Sequence, residues 1–365
     1  MWTAADPVPG GSSLSEARLV QPTLVAEAGV WEHLRFLGTL NLEGAMIEGG
    51  ELTPGAWGEG FMDRRHPHTY AHELLLTLQD RPGSLSLTAG KGFAPFGTDD
   101  PMMRPALRYP VNHHFAQILE RAVVIAAARV GPLIGEFGLF NGDEPERPDQ
   151  WPLIAGRFGD SWSGRLTGIP LSGVELQGSY AHVHSPEHRP GEGPDQSKWS
   201  FSALWNRPIR STPVYGLVEW ARTSEADGFF VFHSLLAEGA WMPGRHRLYY
   251  RFERTERPEE ERISQFRSRR PHLENSILGT TRWTIHTLGY DFGLGRLGGV
   301  RLRPLAEVSL GSVAKVGAGI FDVDGLYGQS EFWSLSLGLR LDGGAPMPRM
   351  GRYGAARGPA LAHTH

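Results

Sequence analysis

The chain contains no cysteine. That excludes a disulfide scaffold, a thiolate metal site and a cysteine nucleophile. It is compatible with an oxidising compartment, where a stray thiol is a liability. Lysine is nearly absent, so arginine carries most of the positive charge, and the formal net charge is only −4. Nucleic-acid binding needs a basic patch on one face, and none is concentrated along the chain. No run of about 18 apolar residues exists, which excludes a transmembrane helix. The most apolar run, Ala122 to Val130, is interrupted by Arg129. The start, MWTAADPVPGG, has neither the basic stretch nor the apolar core of a signal peptide.

What is present is strand pattern. Glycine is abundant (47), alongside 27 prolines and 11 tryptophans. Period-2 alternation is clearest in Trp333-Ser-Leu335-Ser-Leu337-Gly-Leu339-Arg-Leu341, where every odd position is large and apolar and every even one small or charged. Two different solvents on the two faces of a strand produce that pattern. It returns in Val174–Tyr180, Trp199–Trp205, Leu248–Phe252, Trp283–Thr287 and Val300–Val308. The pattern predicts fourteen strands, near 29–41, 69–79, 84–93, 121–130, 133–141, 160–168, 173–184, 197–206, 213–223, 228–240, 245–256, 280–291, 299–311 and 331–341. An ordinary globular domain has roughly 20–25% strand, far less than this.

The connections alternate in length. Short ones lie at 80–83, 131–132, 169–172, 207–212, 242–244 and 293–298, and long ones at 42–68, 94–120, 142–159, 185–196, 257–279 and 312–330. Only 224–227 is short on the long side. Membrane barrels of the bacterial outer membrane have short periplasmic turns, long external loops and an even strand count, and this order puts both termini in the periplasm. Trp31, Tyr70, Trp162, Tyr180, Trp199, Trp205, Trp220, Trp241, Trp283 and Trp333 sit near strand ends, as interfacial girdles require. The alternative is a soluble β-sandwich with these rings in its core. An unpaired backbone group in hydrocarbon costs several kcal/mol, so a spanning sheet must have no edge. The expected fold is all-β: a transmembrane antiparallel up-and-down β-barrel of about 14 strands, with 12 or 16 as alternatives. One barrel domain (29–341) would lie between a periplasmic N-terminal tail (1–28) and a polar C-terminal tail (342–365).

On these alternating strands and the closing Trp333-to-Leu341 segment, the chain resembles bacterial outer-membrane porin-like barrels over most of its length. That segment looks like the last-strand signal read by the barrel-insertion machinery, although here a polar tail ending His-Thr-His follows it. The resemblance implies a Gram-negative outer-membrane protein surrounded by lipid and lipopolysaccharide. It implies passive diffusion of small polar solutes or ions, with no cofactor, no catalysed reaction and no nucleic acid. It leaves room for a homo-oligomer or an envelope complex. Export implies a signal peptide, either already removed or lost to a misassigned start.

Four groups are candidates for chemistry. If the apolar set faces lipid, the lumen receives Arg35, Glu73, Arg121, Arg129, Glu136, Arg165, Glu175, Lys198, Glu219, Arg247, Arg251, Glu253, Arg282, Arg301, Arg303, Glu307 and Arg340. Bases exceed acids in that set, which predicts mild anion preference, unless the charges pair across strands and merely hold the wall. The segment 94–120 carries Asp99, Asp100, Arg104, Arg108, His113 and His114; it is either a constriction folded into the pore or an external cap. His66 and His68, with His72, His182 and His184, could hold a metal if they converged, and are otherwise loop histidines. His184, Ser185 and Asn206 imitate an outer-membrane phospholipase site, and Asp99-Asp100 with His113 a protease site, but neither has the spacing. The remaining alternative is a docking barrel with a plugged lumen, a subunit of an envelope complex.

Overall fold

The computed structural model describes residues 1–365 except 9–10, 18, 21, 43–68, 144, 146–148, 187–192, 261–276 and 359–365. The described residues form one antiparallel sheet of 18 strands with very little helix. The strands are β1 (Trp2–Val8), β2 (Ser12–Ala17), β3 (Thr23–Trp31), β4 (Leu34–Asn41), β5 (Ala71–Gln79), β6 (Leu85–Gly92), β7 (Arg121–Val130), β8 (Leu133–Phe140) and β9 (Ser161–Leu171). They continue as β10 (Val174–Val183), β11 (Gln196–Ile209), β12 (Thr212–Glu225), β13 (Phe230–Trp241), β14 (His246–Glu260), β15 (Ile277–Phe292), β16 (Gly295–Leu297), β17 (Val300–Val316) and β18 (Glu331–Asp342). Two short helices, α1 (His113–Ala116) and α2 (Val323–Tyr327), lie in long connections.

Each strand from β3 to β15 pairs with the next in sequence. Then β15 pairs with β17, β17 with β18, β18 with β1, and β1 with β2. The amino-terminal strand therefore completes the ladder beside the last one, with Trp2 opposite Leu337 and Asp6 opposite Trp333. The alternating directions make β2 and β3 run the same way. Five residues (18–22) separate them, too few for a crossover between parallel neighbours. They are successive stretches of one descending path.

The strand count corrects the expected fourteen. Segment 29–41 is a hairpin, because Glu32-His33 turns the chain between β3 and β4. Residues 1–28, read as a tail, supply β1, β2 and the start of β3; β1 pairs with β18 at the far end of the sequence, a partnership that no local signal marks. The three-residue β16 is a continuation of the turn before β17. Strands β14, β15 and β17 also run further than predicted, which shortens the links expected at 257–279 and 312–330.

The sheet has two unlike faces. On the outer face Leu74, Leu76, Leu78, Leu85, Leu87, Leu310 and Leu339 are exposed. An aromatic ladder crosses it from strand to strand: Phe137 to Trp162, Trp162 to Tyr180 and Tyr180 to Trp199 have ring centroids 6.1, 5.2 and 4.6 Å apart. The inner face carries polar and charged residues, yet they are buried, because segments 93–120 and 343–357 pack onto them. One pair of assignments reverses here. Trp283, expected in the girdle, is fully buried on the inner face against Tyr327 and Phe332, while Arg282, expected in the lumen, is on the outer face paired with Glu256 at 2.6 Å. In β15 the apolar residues near the long-loop end, Trp283 and Ile285, turn inward to an apolar cluster with Val313, Phe321 and Phe332. Alternation shows that a strand has two faces; it does not label them.

Candidate functional site

The inner face is where chemistry gathers. Segment 93–120 leaves β6 and folds inward before β7. Gly97 fixes its course: its φ is +66°, and a Cβ there would sit 1.6 Å from the Ala116 carbonyl oxygen. Only glycine allows that approach. The Gly97 amide donates to Ser179 Oγ at 3.0 Å, and its carbonyl accepts from Arg165 at 3.1 Å.

From there the segment lies along a wall of carboxylates on β12, β13, β14 and β17. Arg104 reaches Glu219 at 3.4 Å and Thr98 Oγ1 at 2.5 Å. Arg108 pairs with Glu253, whose other oxygen accepts from the Val111 amide at 2.7 Å. Glu307 accepts from the amides of Leu107 (2.6 Å) and Arg108 (3.0 Å) and from the Tyr249 hydroxyl (3.1 Å). Arg251 ties Glu238 (2.7 Å) to the Arg108 carbonyl (2.6 Å). Burial disfavours the charged form, but the surrounding carboxylates, Glu219 first, more than offset it and hold Arg104 above its usual value.

A second inward segment follows β18. Residues 343–357 enter at the short-turn end, reach Met350, turn at Gly351 (φ +82°) and return toward the mouth. Arg349 bridges Asp99 (2.9 and 3.0 Å) and Glu175 (2.5 and 2.9 Å). Arg352 reaches Thr167 Oγ1 at 3.0 Å, Asp99 at 3.4 Å and Gln177. Arg165 forms a two-pronged pair with Glu136 (2.6 and 2.7 Å) and donates to the Gly351 carbonyl at 2.6 Å. The Tyr353 hydroxyl donates to Glu73 at 2.8 Å and accepts from the Phe93 amide at 3.0 Å. Asp99 is thus the hub of both inward segments. Burial pushes its carboxyl up, but the guanidinium groups of Arg349 and Arg352 more than offset this and hold it below the usual range.

Of the residues singled out from sequence, Asp99, Asp100, Arg104, Arg108 and His113 are buried on the inner side; His114 is half-buried, and its carbonyl accepts from Lys198 at 2.8 Å. Arg165, Arg247, Arg251 and Glu307 are buried on the inner face. Arg301, Arg303 and Arg340 share that face but are only half-buried, near the short turns. His66 and His68 lie outside the described residues. Among the described residues no three His, Asp or Glu side chains are grouped as a metal would require. His184 contacts Asp195 at 2.6 Å, and Ser185 Oγ accepts from the Gly193 amide at 2.8 Å. Sequence reasoning missed Arg349, Arg352 and Tyr353. The one available signal was Met-Pro-Arg-Met-Gly-Arg-Tyr, which places apolar and aromatic side chains in a segment taken for a solvated tail.

The arrangement of the sheet recurs in solved structures. The chain superposes on an anion-selective porin from Comamonas acidovorans with a TM-score of 0.52, at 10% identity over 93% of this chain and 98% of that one. OprB of Pseudomonas putida gives 0.52 at 10% identity over 93% and 91%. OmpF of Salmonella typhi gives 0.51 at 8% identity over 93% and 96%. The fold is porin-like. The resemblance drawn from the alternating strands therefore holds in three dimensions, although no family model and no curated protein matches the chain.

Proposed function

We propose that the chain is an outer-membrane passage for small polar solutes or ions, held shut in this state by its inward loop and its carboxy-terminal segment. The porin-like fold supports a passage, and the exposed apolar outer face supports insertion in lipid. Closure into a barrel is supported by the ladder, whose two ends, β2 and β3, are joined by five residues. Short turns then face the periplasm, and the carboxy-terminal segment enters from that side.

One observation carries the shut state. Around the inner face Glu73, Glu136, Arg165, Glu175, Glu219, Glu238, Arg251, Glu253 and Glu307 are all between 0 and 8% exposed. A water-filled pore lined by these residues would leave them wet. The arginines counted toward anion preference are mostly matched to carboxylates, so preference for anions is proposed only for the short-turn mouth. No catalytic step belongs to this reading. The filled interior also favours a docking barrel that never conducts. Planar-bilayer conductance of the full chain under a salt gradient separates the two. A passage gives rare discrete openings that become frequent in the Arg349→Gln/Arg352→Gln variant. Silence from both, with insertion verified, leaves the docking barrel.

A further inference from the structure

The outer face changes character toward the long-loop end of β12 to β15. On β12 the outward residues climb from Val218 and Trp220 to Arg222, and on β14 from Leu248, Tyr250 and Phe252 to Arg254. In the ladder Arg222 stands directly opposite Trp199 on one side and His233 on the other. Arg254 stands opposite Leu235 and Thr284, and Glu256 opposite Arg282. Toward the same end, β9, β10 and β11 place Trp162, Tyr180 and Trp199 on the outer face. Aromatic girdles mark the level of the lipid headgroups. The apolar stretches of β12 and β14 therefore give way to arginine at the edge of the hydrocarbon, beside the aromatic ladder.

Two of these guanidinium groups are unmatched. Arg282 has its carboxylate, since two of its nitrogens reach Glu256 Oε1 at 2.6 and 3.2 Å. Among the described residues Arg222 and Arg254 form no ion pair, although Arg222 is half-buried and Arg254 exposed. In water an exposed arginine needs no partner. At the edge of the hydrocarbon it is wet on one side only, and an unmatched charge there is costly. The long side chains can lift their heads toward the surface, which brings them to the level of the lipid phosphates. A guanidinium grips phosphate with two parallel hydrogen bonds.

We propose that Arg222 and Arg254, with Arg282 beside them, form a binding site on the outer face for the phosphorylated headgroup of an outer-leaflet glycolipid of the lipid A type. Neighbouring strands lie about 4.8 Å apart, so β12 and β14 hold their arginines about 10 Å apart, a spread that suits a headgroup with more than one phosphate. Trp199 and Trp220 flank the site, and Trp220 packs toward His233 with ring centroids 6.2 Å apart. The acyl chains would then lie along Val218, Leu235 and Leu248, all exposed on the same face. The assignment rests on reading the sheet as a barrel in the outer membrane with its long loops outside. A chain that stays in solution without detergent fails that reading, whereas a detergent-folded chain that does not select this lipid fails the site alone.

The test is titration of the full chain, folded in detergent, with bis-phosphorylated lipid A, read as bound lipid by native mass spectrometry and as Tm. The same lipid without its phosphates, phosphatidylglycerol and inorganic phosphate are the comparison probes. Saturable binding of lipid A is expected, about tenfold tighter than that of its dephosphorylated form (about 1.4 kcal/mol), with a matching rise in Tm. Arg222→Gln and Arg254→Gln should each weaken it several-fold, while Arg245→Gln, in the short turn at the other end of β14, leaves it unchanged. Neither outward substitution breaks an ion pair, and should one variant fail to fold, the other carries the test. Binding that is equal for lipid A and phosphatidylglycerol overturns the assignment to the outer leaflet. Displacement of lipid A by millimolar phosphate overturns it in favour of a free-anion site. Unchanged lipid A binding in both variants overturns the site itself.

Discussion

The two inward segments fill the same interior by different means. The loop 93–120 is anchored at both ends, by β6 and β7, and offers its backbone amides as well as Arg104 and Arg108 to the wall. The segment 343–357 continues from β18, and its grip is made mostly by side chains: Arg349, Arg352, Tyr353 and Arg357, which pairs with Glu27, beside two backbone bonds at Gly351 and Ala355. A segment fixed at both ends, with its amides bonded, leaves only if the wall comes apart. A segment held mostly by side chains can withdraw once those bonds break. Buried ion pairs add little net stability, since desolvation consumes most of the Coulombic gain, but removing one partner is costly. On the proposed reading, the pairs on the loop fix its position, and those on the carboxy-terminal segment act as a catch.

The largest effect should come from breaking the loop side. Arg104→Met leaves Glu219 and Glu238 buried beside it without that cation, and about 3–5 kcal/mol of stability should be lost; unfolding in detergent by urea measures this. Asp99→Asn should cost less, about 1–3 kcal/mol, because the freed arginines can leave with their segment and regain water. Its distinguishing sign is faster proteolysis within 343–357 while the strands stay intact. If Asp99→Asn destabilises the whole chain as much as Arg104→Met, the two segments are not different in kind.

Acid sharpens the same contrast. The folded carboxyl of Asp99 is held below its ordinary value of 3.8. A depressed carboxyl contributes stability that is complete above the ordinary value and lost as pH falls through the folded one. Conductance should therefore stay low from pH 7 down to about 4 and rise only below that window. A rise near pH 6 would point to another group. The smallest effect is expected from Tyr353→Phe, which removes the hydroxyl shared by Glu73 and the Phe93 amide. About 1 kcal/mol should appear as a modest increase in opening frequency, with little change in Tm.

The strands were legible in the sequence because each is written locally, in its own alternation. Thirteen of the fourteen predicted segments correspond to single strands, and 29–41 to a hairpin. What failed was non-local. β1 is short and interrupted by Asp6-Pro7, and its partner β18 lies at the other end of the chain. Trp283 and Arg282 exchanged faces because alternation is symmetric, and only the cluster with Tyr327 and Phe332 decides the direction. In the site, Asp99, Arg104 and Arg108 could be read as an inward loop, since acids and bases mixed in one long connection suit a polar interior. Arg349 and Arg352 could not, because their partners Asp99 and Glu175 lie far back in the sequence and leave no spacing to read.

The absence of cysteine gives the most direct test of the closing role of the carboxy-terminal segment. Met350, 1% exposed at the inner tip of that segment, can be replaced as Met350→Cys and labelled with a bulky maleimide while single-channel current is recorded. Labelling needs the segment to withdraw, and the label prevents its return. The account predicts slow labelling that converts a mostly silent protein into one with steady, discrete conductance. Labelling that proceeds and leaves the current unchanged would contradict it.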